Sequence, residues 1–243
     1  VPPSSTEEYL RMIGVKSPVF VQPTGIEYQR FQDVADEDVR KLRDSLNIGD
    51  EIVFVSVSRL SKEKNIDFMI DAIDTLRRRS DRPFRFLMIG EGHQHERLQQ
   101  RIDELALQDC FTLVGSIPPD EMATWYHLGD AFLFASKSET QGMVILEAMA
   151  AGLPVVAVRS SGIDDVVRHG FNGFKTPEKQ EQWCERVRQL LEDDALRREM
   201  ADHALEFAAD YSVEQFASDV RMIYATTLAV FAKKRKGAKS QPE

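Results

Sequence analysis

The feature that most constrains this fold is a regular alternation of short apolar runs and amphipathic stretches between residues 50 and 180. The apolar runs are nearly continuous, which is typical of parallel strands that helices cover on both faces. After the first run, Ile66, Ile70 and Ile73 recur at helical spacing. Strands are predicted at residues 52–57, 84–89, 111–114, 131–134, 154–158 and 173–175. Strands that alternate with helices form βαβ units, so the sequence predicts an α/β protein with one doubly wound, Rossmann-like parallel sheet.

The segments between and after these runs predict helices. They cover residues 64–79, 95–107, 120–128, 142–151 and 162–169, and only helical patterns follow, at 178–191, 195–209 and 213–231. At the start of the chain, Ser4 or Ser5 can cap a helix over residues 4–13. Residues 19–21 predict a further short strand that ends at Pro23.

Composition narrows the class of protein. A chain of 243 residues can bury a sizeable core without disulfides or metal ions. Its two cysteines, Cys110 and Cys184, lie far apart without zinc-type spacing, which favours a reducing compartment. No apolar run approaches the roughly 18 residues of a membrane span, and the first ten residues lack the pattern of a secretory signal. We therefore expect a cytoplasmic protein.

Charge is unevenly distributed along the chain. The formal net charge is −9, from 31 Lys and Arg against 40 Asp and Glu. Five of the cations lie close to the C-terminus: Lys233, Lys234, Arg235, Lys236 and Lys239. The remainder is more acidic still, which argues against a nucleic-acid surface. The tail at residues 233–243 is expected to be disordered and to suit the inner, anionic face of a membrane.

Chemistry is expected in the loops after the strands, because ligands of open α/β sheets bind beyond the strands' carboxyl ends, near helix N-termini. Arg59 and Lys64 fall between the first of these strands and its helix. Two cations beside a helix N-terminus suit a diphosphate, since a guanidinium can bind it through two hydrogen bonds. The alternative is a solvated loop with ordinary surface cations.

A second loop follows the predicted strand at 131–134 and carries Glu139, Gly142 and Glu147. Gly142 stands at the predicted start of a helix, where glycine allows a ligand to approach free backbone amides. Glu147 lies about a turn and a half into that helix, so its side chain can lean back toward the N-terminal end. Two carboxylates beside free amides suit sugar hydroxyls together with a phosphate. Alternatively, Glu147 acts only on the helix dipole and Glu139 is simply exposed.

Several other residues that could suggest a metal or ligand site are better explained by structural roles. The acids at residues 36–38 open a helical stretch and complement its dipole. His93 and His95 lack a third metal ligand. Trp125 and Tyr126 lie on a short predicted helix and are interpreted as packing residues.

In their order and spacing, these segments resemble the donor-binding, C-terminal half of a retaining GT-B glycosyltransferase of glycosyltransferase family 4. The resemblance runs from about residue 4 to residue 224. It is carried by Pro23-Thr24-Gly25-Ile26-Glu27, Ser58-Arg59-Leu60, Lys64-Asn65, Gly90-Glu91-Gly92, Val114-Gly115-Ser116-Ile117-Pro118, Glu139, the run from Glu147 to Ala157, and Asn172-Gly173-Phe174.

The resemblance implies a role for each matching position. Arg59 and Lys64 would hold the donor diphosphate and Glu139 would bind the donor sugar, these three being the catalytic residues. Glu147 would bind the ribose hydroxyls, and Ile117 would lie against the nucleobase. Backbone amides facing sugar and phosphate are implied at Gln141, Gly142, Met143 and Val144. We expect the side chains of Arg59, Lys64, Glu139 and Glu147 to converge on one cleft, with no metal or other cofactor.

On this resemblance, residues 1–232 form a nucleotide-sugar donor domain, and residues 213–231 form a helix that crosses toward an acceptor half lying upstream. Some apolar residues of that helix are then expected to lack a partner. The implied enzyme is a retaining hexosyltransferase that moves the sugar of a nucleotide-diphosphate sugar, preferably a UDP-sugar, to a lipid or saccharide. Residues 138–142 resemble glucosyltransferases that act on diacylglycerol. Two alternatives stay open: a non-catalytic nucleotide-sugar or carbohydrate-binding module, and a GT-B nucleotide-sugar epimerase.

Overall fold

Each apolar run that predicts a strand in the repeating region forms one in the computed structural model, which describes residue 1 and residues 4–238, with side chains described up to residue 231. The strands are β1 Ile52–Val57, β2 Phe84–Ile89, β3 Phe111–Gly115, β4 Ala131–Phe134, β5 Val155–Val158 and β6 Gly173–Thr176. They form one parallel sheet in the order β3-β2-β1-β4-β5-β6. The predicted doubly wound sheet is confirmed. Its strand order reverses between β1 and β4, which is where ligands bind in such sheets.

The helices follow the predicted pattern with small shifts in their ends. They are α1 Ser4–Met12, α2 Asp36–Ser45, α3 Ile66–Arg79, α4 His95–Glu104, α5 Met122–His127, α6 Met143–Ala150, α7 Gln180–Glu192, α8 Asp194–Ala209 and α9 Val213–Ala238. Two short 3-10 turns, Tyr28–Phe31 and Lys62–Lys64, precede α2 and α3.

Both faces of the sheet are covered, as near-continuous apolar strands require. On one face, Phe54 and Phe86 pack with residues of α3, α4 and α7, including the fully buried Trp183. On the other face, Val53 and Val55 pack with residues of α5, α6 and α8. Successive side chains of β1 point to opposite faces of the sheet and therefore contribute to the hydrophobic core on each face.

Two elements predicted from the sequence are wrong. Residues 161–166 form turns rather than the helix predicted at 162–169, because the Asn172 side chain accepts the N–H of Arg168 at 2.8 Å and the chain turns back into β6. Residues 19–21 pair with no strand among the described residues; the Val1 ammonium group bonds the Phe20 carbonyl instead. A strand needs a neighbour along its length, and local composition cannot supply one.

Glycines after β2 allow two loops to touch. A Cβ at Gly90, where φ is +135°, would overlap the carbonyl oxygen of Ser58, and a Cβ at Gly92 would overlap that of Leu60. The backbone N–H of Leu60 donates to the Glu91 carbonyl at 2.9 Å. The loop after β1, which carries Arg59, therefore lies directly on the loop after β2.

Helix α9 continues to Ala238, so the backbone of residues 233–238 is helical where the sequence predicted disorder. Ala, Lys and Arg are good helix formers, and cations at a helix C-terminus are favourable. The rest of the tail, including Lys239, lies outside the described residues. Large apolar side chains of α9 are exposed, as expected for that helix: Val213, Met222, Tyr224, Leu228, Val230 and Phe231. Among the described helices, none combines the length and apolarity needed to cross a lipid bilayer.

Candidate functional site

The loops after β1 and β4 lie side by side at the carboxyl edge of the sheet. These strands pair directly, with Val55 opposite Phe132. Beyond them, the backbone N–H of Lys137 donates to the carbonyl of Glu63 at 2.9 Å. The two loops that the sequence singled out are thus joined where the strand order reverses.

Lys64 and Glu139 form the centre of this region. Their Nζ and Oε2 atoms are 3.3 Å apart, and only 16% and 17% of their side chains are exposed. The ammonium group of Lys64 also lies 5.7 Å from the centre of the Phe134 ring. The other oxygen of Glu139 accepts backbone N–H groups of Thr140 at 3.1 Å and Gly142 at 3.3 Å. This carboxylate is therefore fixed before any ligand arrives.

The N-terminus of α6 begins directly beside Glu139. Gly142 precedes the helix with φ at +65°, a left-handed conformation that favours glycine. Among the described residues, the backbone N–H groups of Met143 and Val144 donate no hydrogen bond. The side chain of Gln141 points away from this helix end, since its oxygen accepts the N–H of Thr24 at 3.3 Å. The helix end offers free donors of the kind that bind anions.

Glu147 projects from α6 toward α5. Its Oε2 accepts the hydroxyl of Tyr126 at 3.0 Å. Burial raises the pKa of Glu147, while the Tyr126 hydrogen bond and the nearby positive charge of Arg30 oppose that rise. Burial and the Glu147 charge likewise raise the pKa of Tyr126 well above its ordinary value, so Tyr126 stays a donor.

Arg59 and Ile117 line a separate cleft of about 270 Å³ beyond the ends of β1, β2 and β3. Arg59 is extended, with 79% of its side chain exposed and its guanidinium 3.5 Å from Glu63. The Ser61 hydroxyl, 2.6 Å away, and the charge of Arg59 hold the pKa of Glu63 below its ordinary value.

The structure thus brings Lys64 and Glu139 into contact but does not gather all four expected side chains into one cavity. Arg59 lines the cleft, whereas Lys64 turns to Glu139 and Glu147 turns to Tyr126. Sequence reasoning missed Glu63, Arg30 and the polar role of Tyr126. The hydrogen bond of Tyr126 to Glu147 joins two helices and spans 21 positions in the sequence, so no local pattern reveals it. In the described part of the chain, no three His, Cys, Asp or Glu side chains are placed to hold a metal ion.

The family model for glycosyl transferases group 1 matches residues 38–207, and this chain belongs to that family. The predicted resemblance to a GT-B glycosyltransferase is confirmed, whereas its assignment to family 4 stays a prediction. The match covers the sheet from β1 to β6 together with the loops that carry Lys64, Glu139 and Glu147.

Named relatives extend this finding. The chain is 37% identical over 140 residues to alpha-monoglucosyldiacylglycerol synthase of Streptococcus pneumoniae, covering 56% of this chain and 32% of that protein. It is 31% identical over 217 residues to D-inositol 3-phosphate glycosyltransferase of Corynebacterium urealyticum, covering 86% of this chain and 51% of that protein. The chain spans about half or less of the length of these curated relatives.

A solved structure shows the same fold. The crystal structure of Anabaena HepE in complex with UDP-glucose superposes with a TM-score of 0.81 at 25% identity, covering 92% of this chain and 62% of that chain. A glycosyltransferase from Rickettsia africae superposes with a TM-score of 0.82 at 20% identity, covering 93% of this chain and 62% of that chain.

Proposed function

We propose that this chain is the donor-binding half of a retaining hexosyltransferase of family 4 type whose donor is a nucleotide-diphosphate sugar, preferably a UDP-sugar. One observation carries the proposal: the preformed Lys64–Glu139 pair lies beside the free amides of α6 where the strand order reverses. Membership of the glycosyltransferase family favours a transferase over the epimerase and the non-catalytic module. The UDP-glucose complex of HepE supports the choice of donor.

The donor diphosphate is assigned to Lys64, the α6 amides and Arg59. The ammonium of Lys64 and the N–H groups of Met143 and Val144 supply fixed positive potential, which stabilises a leaving diphosphate as its charge develops. Among the described side chains, Arg59 contacts Glu63 at 3.5 Å and, being 79% exposed, is free to close on a phosphate. With this much positive charge from the chain itself, we expect transfer to need no metal or other cofactor.

The sugar and nucleoside are assigned to the remaining positions. Glu139 already accepts two backbone N–H groups and keeps capacity for a sugar hydroxyl, because a carboxylate has about four acceptor sites. Gln141 adds a backbone N–H near the sugar, and the backbone N–H of Gly142 acts there by orienting Glu139, to which it donates at 3.3 Å. Glu147 accepts the ribose hydroxyls, and Ile117 packs against the base in the 270 Å³ cleft.

The proposed reaction breaks the bond between the anomeric carbon and the diphosphate and joins that carbon to an acceptor hydroxyl on the same face, while the hydroxyl proton passes to the leaving diphosphate. The acceptor is proposed to be a lipid or a saccharide and to bind in an upstream half of the same protein. Diacylglycerol glucosylation is one such reaction, supported by the similarity to alpha-monoglucosyldiacylglycerol synthase. Because acceptor positioning contributes much of the rate, we expect the 243-residue chain alone to bind donor without transferring sugar.

Calorimetric titration tests the binding half of this proposal. The ligands are UDP, GDP, UDP-glucose, UDP-galactose and glucose alone, and we expect saturable binding of a nucleotide and its sugar conjugate but not of free glucose. Absence of binding to every nucleotide would refute the donor assignment. Transfer is tested with radiolabelled sugar and lipid or saccharide acceptors, with and without the upstream half. Robust turnover by this chain alone would overturn the shared-site proposal.

A second partner is proposed on a specific observation. The exposed apolar side chains of α9, among them Met222, Leu228 and Phe231, come directly before Lys233, Lys234, Arg235, Lys236 and Lys239 in the sequence. Apolar residues beside clustered cations suit an anionic lipid surface, at about 1 kcal/mol per cation. We expect co-sedimentation with phosphatidylserine-containing vesicles, and its loss when the five cations are replaced by Gln. Equal binding to neutral vesicles would argue against a role for the cations.

A further inference from the structure

Tyr126 combines complete burial with a hydroxyl that lies 3.0 Å from Glu147 Oε2 and, more distantly, 3.4 Å from the carbonyl of Val144. It lies in α5 with none of its surface exposed, and its ring packs edge-on against Phe31 at 5.7 Å and near Phe132 at 6.0 Å. Packing alone would be served equally well by phenylalanine. A buried hydroxyl costs free energy unless it is paired, and this one donates to Glu147 Oε2 at 3.0 Å.

We propose that Tyr126 is a positioning residue that holds the Glu147 carboxylate in the conformation that accepts the ribose hydroxyls of the donor. This inference rests on the proposed function, because it presumes that Glu147 binds ribose. Tyr126 occupies only Oε2. Among the described residues, Oε1 of Glu147 accepts no hydrogen bond, so that oxygen is free for a ligand.

Two further contacts make α5 a rigid support for this hydroxyl. The imidazole of His127, the next residue, lies 2.6 Å from the carbonyl of Phe31. Phe31 in turn belongs to the 3-10 turn whose Arg30 guanidinium bonds the Pro119 carbonyl. The ring of Tyr126 is thus held by the 3-10 turn Tyr28–Phe31, which is an element separate from α6. Its hydroxyl can therefore fix the position of the Glu147 side chain.

The hydrogen bond also opposes the rise that burial causes in the pKa of Glu147. The carboxylate is mostly buried, and burial favours its protonated form. A protonated carboxyl would lose much of its ability to accept two ribose hydroxyls. Donation from Tyr126 and the charge of Arg30 both favour the ionised acceptor. The arrangement therefore orients the carboxylate and opposes its protonation.

The test is calorimetry on Tyr126→Phe with UDP and with 2′,3′-dideoxy-UDP, which lacks the ribose hydroxyls. We expect the variant to bind UDP about fivefold to tenfold more weakly, as for the loss of one typical intramolecular hydrogen bond. The dideoxy nucleotide should bind wild type and variant equally, which also shows that the variant is folded. In the Glu147→Ala background, Tyr126→Phe should have no further effect on UDP.

The outcomes separate the two proposals. If wild type does not bind UDP, or if Glu147→Ala leaves UDP affinity unchanged, the proposed function fails. If Glu147→Ala weakens UDP but Tyr126→Phe does not, only the positioning role is overturned. Equal weakening of UDP and the dideoxy nucleotide by Tyr126→Phe would also overturn it, because a general packing defect does not distinguish the two ligands.

Discussion

The two sides of the candidate site differ in how far they are organised before a ligand binds. On the side of β4 and α6, Lys64, Glu139 and Glu147 are each held by a partner within the chain. On the side of β2 and β3, Arg59 extends into solvent, with a 3.5 Å contact to Glu63 as its ion pair. Substitutions on the first side should therefore change both stability and binding, whereas substitutions on the second should change binding alone.

The largest effect is expected from Lys64→Ala. It removes the cation proposed to bind the donor diphosphate and leaves the Glu139 carboxylate, only 17% exposed, without its cation. We expect nucleotide binding to weaken by about 1.5–3 kcal/mol, with a lower melting temperature. Calorimetry and thermal unfolding measure the two effects. Lys62→Ala, at an exposed lysine of the same turn, is the matched control and should change neither.

Glu139→Ala should distinguish the sugar from the nucleotide. We expect binding of a UDP-sugar to weaken by about 1–2 kcal/mol more than binding of UDP, because only the conjugate carries the sugar hydroxyls assigned to Glu139. Calorimetric titration of UDP and of the UDP-sugar into Glu139→Ala and into Glu139→Gln measures this difference in binding free energy. Equal losses for the two ligands in Glu139→Ala would contradict the assignment.

Arg59→Ala tests the open side of the comparison. We expect nucleotide binding to weaken by about 1 kcal/mol, with the melting temperature unchanged, because an exposed ion pair contributes little to stability. The loss should shrink at high salt, since charges in solvent are screened. A clear drop in melting temperature would show that Arg59 is part of the folded framework and that the two sides are alike.

The smallest effect concerns the pH dependence of stability. Burial raises the pKa of Glu147 in the folded chain, so the native state binds this proton more tightly than the unfolded state. The free energy of unfolding should then fall as pH rises above the ordinary glutamate value toward the raised one. Denaturant unfolding of wild type and Glu147→Gln across this range should show the wild type losing stability relative to the variant. A constant difference would contradict the direction of the shift.

Much of the architecture was predicted from local patterns. The apolar runs that became β1 to β6 can be recognised from neighbouring residues alone, and parallel strands put the loops with Lys64 and Glu139 at one edge. The same reasoning failed at residues 162–169, where a side chain from Asn172 takes a backbone N–H. It failed again at residues 19–21, which form neither helix nor strand and pair with no strand among the described residues.

By itself, the sequence determined the sheet, the strand-end loops and the residues that we propose to bind a donor, because these follow from periodicity, backbone conformation and side-chain chemistry. Only the tertiary structure decided which of those residues are fixed. Contact between Lys64 and Glu139 spans 75 positions, and that between Tyr126 and Glu147 spans 21. Such pairs depend on how the helices pack on the sheet and on which polar groups this packing removes from water. Burial and hydrogen bonding across elements turn a set of plausible carboxylates and cations into an ordered site, and neither is encoded in any short stretch of the chain.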